Sequence, residues 1–159
     1  MISFLILTGL QGLVIGIDEF WCHWRRGLPR WERWGHPIDS VSLLIPLSLI
    51  CFASPTPLNT QLYIGLGALS CICITKDEWV HHAVSDAFEN WLHSLLFILH
   101  PLILVNGYFL WVASEPPKLL GANVVLMSFI AVLAFTIYQI TFWSLYADKL
   151  LGSRHADRQ

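Results

Sequence analysis

Two stretches of this chain carry glutamates and histidines at a spacing that suits metal binding. The first, Asp18 to Asp39, reads D-E-F-W-C-H-W-R-R-G-L-P-R-W-E-R-W-G-H-P-I-D. The second, Asp77 to His100, reads D-E-W-V-H-H-A-V-S-D-A-F-E-N-W-L-H-S-L-L-F-I-L-H. Glu19 precedes His23 by four residues and Glu32 precedes His36 by four; Glu78 precedes His82 by four and Glu89 precedes His93 by four. Both stretches open on a D-E-aromatic triplet, and Trp34 and Trp91 each stand two residues after a second glutamate. Six of the seven histidines fall in these two stretches, which weighs against each being an isolated core residue.

Residues four apart share one face of an α-helix, so each pair can aim a carboxylate and an imidazole at the same point. Mixed carboxylate and imidazole donors suit iron, manganese or zinc. Several carboxylates crowded together repel one another, and two divalent cations would neutralise them. The expectation is therefore two transition-metal ions per chain, iron first, with zinc or manganese as alternatives. The candidate ligands are Glu19, His23, Glu32, His36, Glu78, His81, His82, Glu89 and His93, with the choice between His81 and His82 left open. Asp86 can cap a helix with Glu89 reaching back to it, a role that competes with metal binding by Glu89. Asp18, Asp77 and Asp86 are read as solvated, capping or outer groups.

The elements that must position these residues are hydrophobic. Of 159 residues 55% are hydrophobic and 13% charged, the balance of a membrane protein rather than a soluble domain. The net charge of −2 carries no message about nucleic acid, and without a basic patch of the kind its binding needs no nucleic-acid partner is expected. The run Ile2 to Ile17 has no basic leader and ends in Asp18-Glu19, so it reads as a membrane helix and not as a signal peptide. Cys51, Cys71 and Cys73 lie in apolar runs and read as small hydrophobes; Cys22 stands beside His23, where a thiolate ligand is the weaker reading.

Five apolar segments predict an all-α integral membrane protein of about five transmembrane helices, a single domain over 1–159. They run over about 2–24, 37–53 (or from near Pro29), 58–82, 87–113 and 119–150, with turns at Ser54-Pro55-Thr56-Pro57 and Glu115-Pro116-Pro117. Four would form a pseudo-twofold repeated bundle around the metal site: repeat A over about 2–53, repeat B over about 58–113, with the extra helix of about 119–150 left to packing. Arg25, Arg26, Arg30 and Arg33 crowd the first connection, Lys76 the third, and Lys149, Arg154 and Arg158 the C-terminus. The positive-inside rule then places the N-terminus outside and the C-terminus in the cytoplasm of a plasma (inner) membrane, with both Glu/His stretches on the cytoplasmic side. Trp21, Trp24, Trp31, Trp34, Trp79 and Trp91 read as an interfacial belt. Gly9, Gly12, Gly16, Gly65 and Gly67 read as packing positions, and Asn106, Tyr138 and Gln139 as interhelical hydrogen-bonding groups.

Glu89, His93 and His100 fall within about 40° of one another at about 100° per residue, and Glu32, His36 and Asp39 within about 60°. Such stripes belong inside a bundle, because an ionisable group in lipid costs about 2.5–3.5 kcal/mol. His100 and Asp39 are the candidate catalytic groups. His100 would line a polar pocket running from the metals into the bilayer, or else hydrogen-bond a serine or carbonyl of a neighbouring helix.

The arrangement resembles the ferritin-like di-metal carboxylate bundle, in which four helices supply glutamates and Glu-x-x-His pairs to two metals. Glu78-x-x-His81 has that spacing, and the other three pairs are one residue longer. The resemblance implies a membrane di-metal, di-iron oxidoreductase with coordination positions open to oxygen, acting on a lipophilic small molecule such as a quinone or an acyl chain. The alternatives are a zinc-dependent membrane hydrolase and a non-enzymatic metal carrier or sensor. Bis-histidine haem ranks last, because only His100 lies deep.

Overall fold

The computed structural model describes residues 1–76, 78, 85–113 and 119–146. Their regular structure is entirely helical. Five helices follow one another: α1 (Ile2–Arg26), α2 (Arg30–Phe52), α3 (Pro57–Cys73), α4 (Ala87–Ala113) and α5 (Leu119–Thr141). Among the described residues four stretches are long and apolar enough to cross a membrane: α1, α2, α4 and the Asn123–Thr141 part of α5. The 17 residues of α3 are fewer than the roughly 20 that a ~30 Å hydrocarbon core asks for. The sequence favours continuing this helix through Lys76-Asp77-Glu78, but it ends at Cys73 and turns over Ile74 to Lys76. Asp77, Trp79, His81 and His82 lie outside the described residues.

Local chemistry sets the joints. Gly27, at φ 80°, turns the chain sharply after α1, and its N–H donates to the His23 carbonyl at 2.7 Å. Pro29 precedes the first turn of α2 as its cap instead of opening it, and α2 runs on through Pro37 and Pro46. Only Gly27, Leu28 and Pro29 separate α1 from α2, so the Glu19–Arg26 end of one must lie beside the Glu32–His36 start of the other. The Thr56 side chain accepts from Asn59 N–H and Pro57 opens α3. At α4 the Asp86 carboxylate accepts from Glu89 N–H at 2.8 Å. The cap thus uses the backbone of Glu89 and leaves its side chain to the bundle.

α2 packs most extensively against α5 and α3, and α1 against α4. Away from the Glu/His stretches the bundle is closed by an apolar core that includes Phe4, Leu47, Ile50, Tyr63, Leu104 and Trp111. Two tethers fix it: Tyr63 Oη donates to Leu104 O at 2.7 Å, and Trp111 Nε1 to Ala53 O at 2.8 Å. Gly107 is the tight point. A Cβ there would lie 2.9 Å from Ile50 Cδ1 and 3.2 Å from Tyr63 Oη. Gly107→Val is expected to cost about 1–3 kcal/mol of stability by overpacking. Gly65→Val, where an added Cβ meets nothing within 4 Å, is the control. Thermal unfolding in detergent reads both; equal midpoints would show that the core at Gly107 yields freely. Of the glycines read as packing positions, a Cβ added at Gly67 would lie 3.6 Å from Leu104 Cδ1, whereas one at Gly9, Gly12, Gly16 or Gly65 would meet no atom within 4 Å among the described residues.

Candidate metal centre

The last turns of α1 depart from α-helical geometry. Asp18–His23 form a π-helical stretch, closed by the Trp24 N–H bonding to the Glu19 carbonyl. In an α-helix residues five apart diverge by about 140° at about 100° per residue. The wider i→i+5 ring of a π turn brings them onto one face. Asp18 and His23, five apart, consequently meet: His23 Nε2 lies 3.3 Å from Asp18 Oδ2. Glu89 Oε1 lies 3.3 Å from the same nitrogen, and His93 Nε2 lies 3.5 Å from Asp18 Oδ2. Asp18, His23, Glu89 and His93 are all buried, and each can offer one donor atom within 4.8 Å of the others. This group could hold a metal ion.

A second group, His23, Glu32 and His36, meets the same distance limit and shares His23. The His23 and His36 ring centroids are 4.8 Å apart. Glu32 is fully buried. Between the two groups stands Arg26, whose Nη2 lies 3.0 Å from Glu32 Oε2 and 2.6 Å from Glu89 Oε1.

Glu19 sits behind His23. Its Oε2 lies 3.4 Å from His23 Nδ1, while its Oε1 accepts from Trp143 Nε1 at 2.6 Å and from Tyr138 Oη at 2.9 Å. That is the arrangement by which a carboxylate fixes the orientation of a metal-binding imidazole and directs the other ring nitrogen at the ion. Both donors to Glu19 come from α5 and its π-helical extension Phe142–Tyr146, so the fifth helix does more than pack. Gln139 Oε1 likewise accepts from Ser40 Oγ at 2.9 Å, joining α5 to α2, whereas among the described residues Asn106 donates to the Leu102 carbonyl of its own helix.

The remaining sequence candidates lie around this cluster. Asp39 pairs with Lys76 Nζ at 2.6 Å. Glu78 is half-buried and, with Asp39, on the wall of the adjoining cavity. His81 and His82 fall outside the described residues. Cys22 is buried but belongs to neither ligand group, and the cysteines are free thiols. Trp21, Trp24, Trp31, Trp34 and Trp91 are exposed, as a belt requires.

His100 is buried on the same stripe as Glu89 and His93. Its Nε2 lies 2.8 Å from Ser70 Oγ, which lies 2.9 Å from Ser42 Oγ. His100 makes the interhelical bond and also lines a cavity of about 610 Å³, which is mainly apolar where the sequence leads one to expect a polar pocket. The cavity reaches Asp18, His23 and His93 at one end and is walled elsewhere mainly by apolar side chains such as Leu5, Leu47 and Ile103.

Sequence reasoning passes over several contributors. Asp18 reads there as an outer group and Arg26 as a charge of the first connection, and neither Gln11, buried on the cavity wall, nor Trp143, which donates to Glu19, carries a signal. The shared D-E opening of the two stretches was the one signal for Asp18. No family model, curated protein or solved structure matches the chain, so its reading rests on this geometry alone.

Proposed function

We propose that the chain is a membrane-embedded metalloenzyme, an oxidoreductase acting on a lipophilic substrate. The observation that carries this reading is a buried Asp18–His23–Glu89–His93 group opening directly onto an apolar cavity. Two imidazoles and two carboxylates suit iron first, with manganese and zinc as alternatives. With its Nδ1 held by Glu19, His23 has one nitrogen left for an ion, so the His23–Glu32–His36 group would be an alternative position for that ion. Iron there would supply electron transfer to or from the substrate. The protein's own part is to orient the ring of His23 through Glu19, to keep bulk water out, and to hold the substrate's chain in the cavity.

The pseudo-twofold repeat is part of this proposal. Arg26 pairs with both Glu32 and Glu89, the two carboxylates that the repeat makes equivalent, which supports it. The arginine-rich α1–α2 connection argues for a cytoplasmic placement of this end of the bundle.

The Arg26 bridge also favours a second reading, in which the cluster is a metal-free ion network that fixes α1, α2 and α4. Metal analysis separates the two. Protein purified without chelator, or reconstituted with Fe(II), Mn(II) or Zn(II), is expected to retain one ion per chain, at one or other of the two groups that share His23. Retention of iron with a redox-responsive visible spectrum supports the oxidoreductase. Exclusive retention of zinc would move the reading to a hydrolase. A value near zero after every reconstitution leaves the ion network.

A further inference from the structure

α1 and α4 run antiparallel in a fixed register. Asp18 meets His93, and fourteen residues further along each helix Phe4 lies beside Gly107. Halfway between stand Gln11 and His100, both on the cavity wall. Seven residues at about 1.5 Å each place this level about 10 Å below the metal ligands. Gln11 is therefore a carboxamide near the middle of a 25-residue span. It is 7% exposed, and its Oε1 makes no hydrogen bond among the described residues. An amide oxygen kept in apolar surroundings without a partner is costly, and a ligand that donates to it removes the cost.

Three glycines alternate with Thr8 and Ile15 on the wall beside Gln11. Gly9, Gly12 and Gly16 line the cavity, and a Cβ on any of them would meet no atom within 4 Å among the described residues. Across from them on α5 stand Met127, Ala131 and Phe135, with Met127 70% exposed. The cavity is thus bounded on its lipid-facing side by a glycine track and an exposed α5 face. Its volume is that of a small-molecule site.

We propose that the cleft between α1 and α5 is a lateral port for a single-chain amphiphile bearing a hydroxyl group, with Gln11 accepting the hydrogen bond from that hydroxyl. The hydrocarbon lies along the Gly9–Gly12–Gly16 track, where the absence of side chains lets it approach the helix backbone. This rests on the reading that the cavity takes a lipophilic molecule, and it requires no metal.

The probe is a 16-carbon alcohol with a mid-chain diazirine, compared with the diazirine alkane of the same length without the hydroxyl. Both are photolysed with the full-length protein in nanodiscs, and adducts are mapped by mass spectrometry. Wild-type protein is expected to give alcohol adducts on the α1 and α5 residues of the cleft. Gln11→Leu should reduce them at least about fivefold, the loss of roughly one hydrogen bond, and leave alkane adducts unchanged. Gly12→Leu, which fills the track, should reduce both. Circular dichroism and a thermal midpoint near wild type confirm folding of each variant, and Gln11→Met repeats the test should Gln11→Leu misfold. Alcohol labelling that is indifferent to Gln11, or adducts confined to the outer faces of the helices, would overturn the proposal. So would a wild-type dimer that Gly12→Leu dissociates, because the glycine track would then be a contact between copies. Labelling is measured with and without chelator. Gln11-dependent labelling of a protein that holds no metal keeps the port and rejects the metalloenzyme; metal-loaded protein with Gln11-independent labelling does the reverse.

Discussion

His23→Ala is expected to weaken metal binding most, and His36→Ala and His93→Ala each less. His23 is the donor common to both groups: Asp18 and Glu89 lie 3.3 Å from its Nε2, and Glu32 and His36 complete the second set with it. Removing it leaves two carboxylates and one imidazole on one side, and one of each on the other. His93→Ala takes a donor from the first set only, and His36→Ala from the second only. Glu19→Gln tests the layer behind. It keeps the shape of the side chain that Trp143 and Tyr138 hold but weakens its grip on His23 Nδ1, and such outer changes typically cost about 10- to 100-fold in metal affinity. Ions per chain, measured after equilibration at fixed free metal, give the ranking. Equal loss from His23→Ala and His36→Ala would mean that the second group is the principal site; full occupancy in His23→Ala would dismiss both groups.

The parts of this site that were legible in the sequence are those that an α-helix places by itself. Glu89, His93 and His100 share a stripe because their spacing fits the α-helical repeat, and all three are buried on α4. The same arithmetic brings Glu32 and His36 together on α2. Asp18 was out of reach because its partner is five residues away, and nothing in the hydrophobic pattern of D-E-F-W-C-H announces a π turn. Arg26 was hidden differently. A long side chain at a helix end can run to the interface or turn into the bundle, and the sequence offers both; here it turns inward onto Glu32 of α2 and Glu89 of α4. The part played by α5 depends on which helix ends meet in three dimensions. Tyr138 and Trp143 are 119 and 124 residues from Glu19, and no periodicity spans that distance. The competition foreseen at Glu89 dissolves for a simple reason: capping by Asp86 needs the Glu89 N–H and not its carboxylate.

Arg26→Met is expected to destabilise the metal-free protein strongly and the metal-loaded protein little. Asp18, Glu19, Glu32 and Glu89 are four carboxylates with almost no exposure, and among the described residues Arg26 is the guanidinium set between the last two. Deleting one partner of a buried ion pair costs about 3–5 kcal/mol, because the buried carboxylates left behind lose the cation they share and gain no solvent in its place. Burial also limits screening, so added salt should recover little of the loss. A divalent ion at the Glu89 or Glu32 group would supply the missing positive charge, and without a guanidinium beside it the ion meets less repulsion. Metal affinity should therefore rise in Arg26→Met, by about tenfold if the relief is near 1.4 kcal/mol. Binding to the folded state alone stabilises in proportion to the logarithm of free metal over Kd, so the thermal shift on adding metal should exceed that of wild type. Arg26→Lys, which keeps the charge but loses the fork that reaches two carboxylates, should fall between them. Thermal midpoints of the three proteins, with chelator and with saturating Fe(II) or Mn(II), decide the matter. If metal leaves Arg26→Met as unstable as chelator does, no ion takes over the charge of Arg26, and the cluster is an ion network whose cation is the arginine itself.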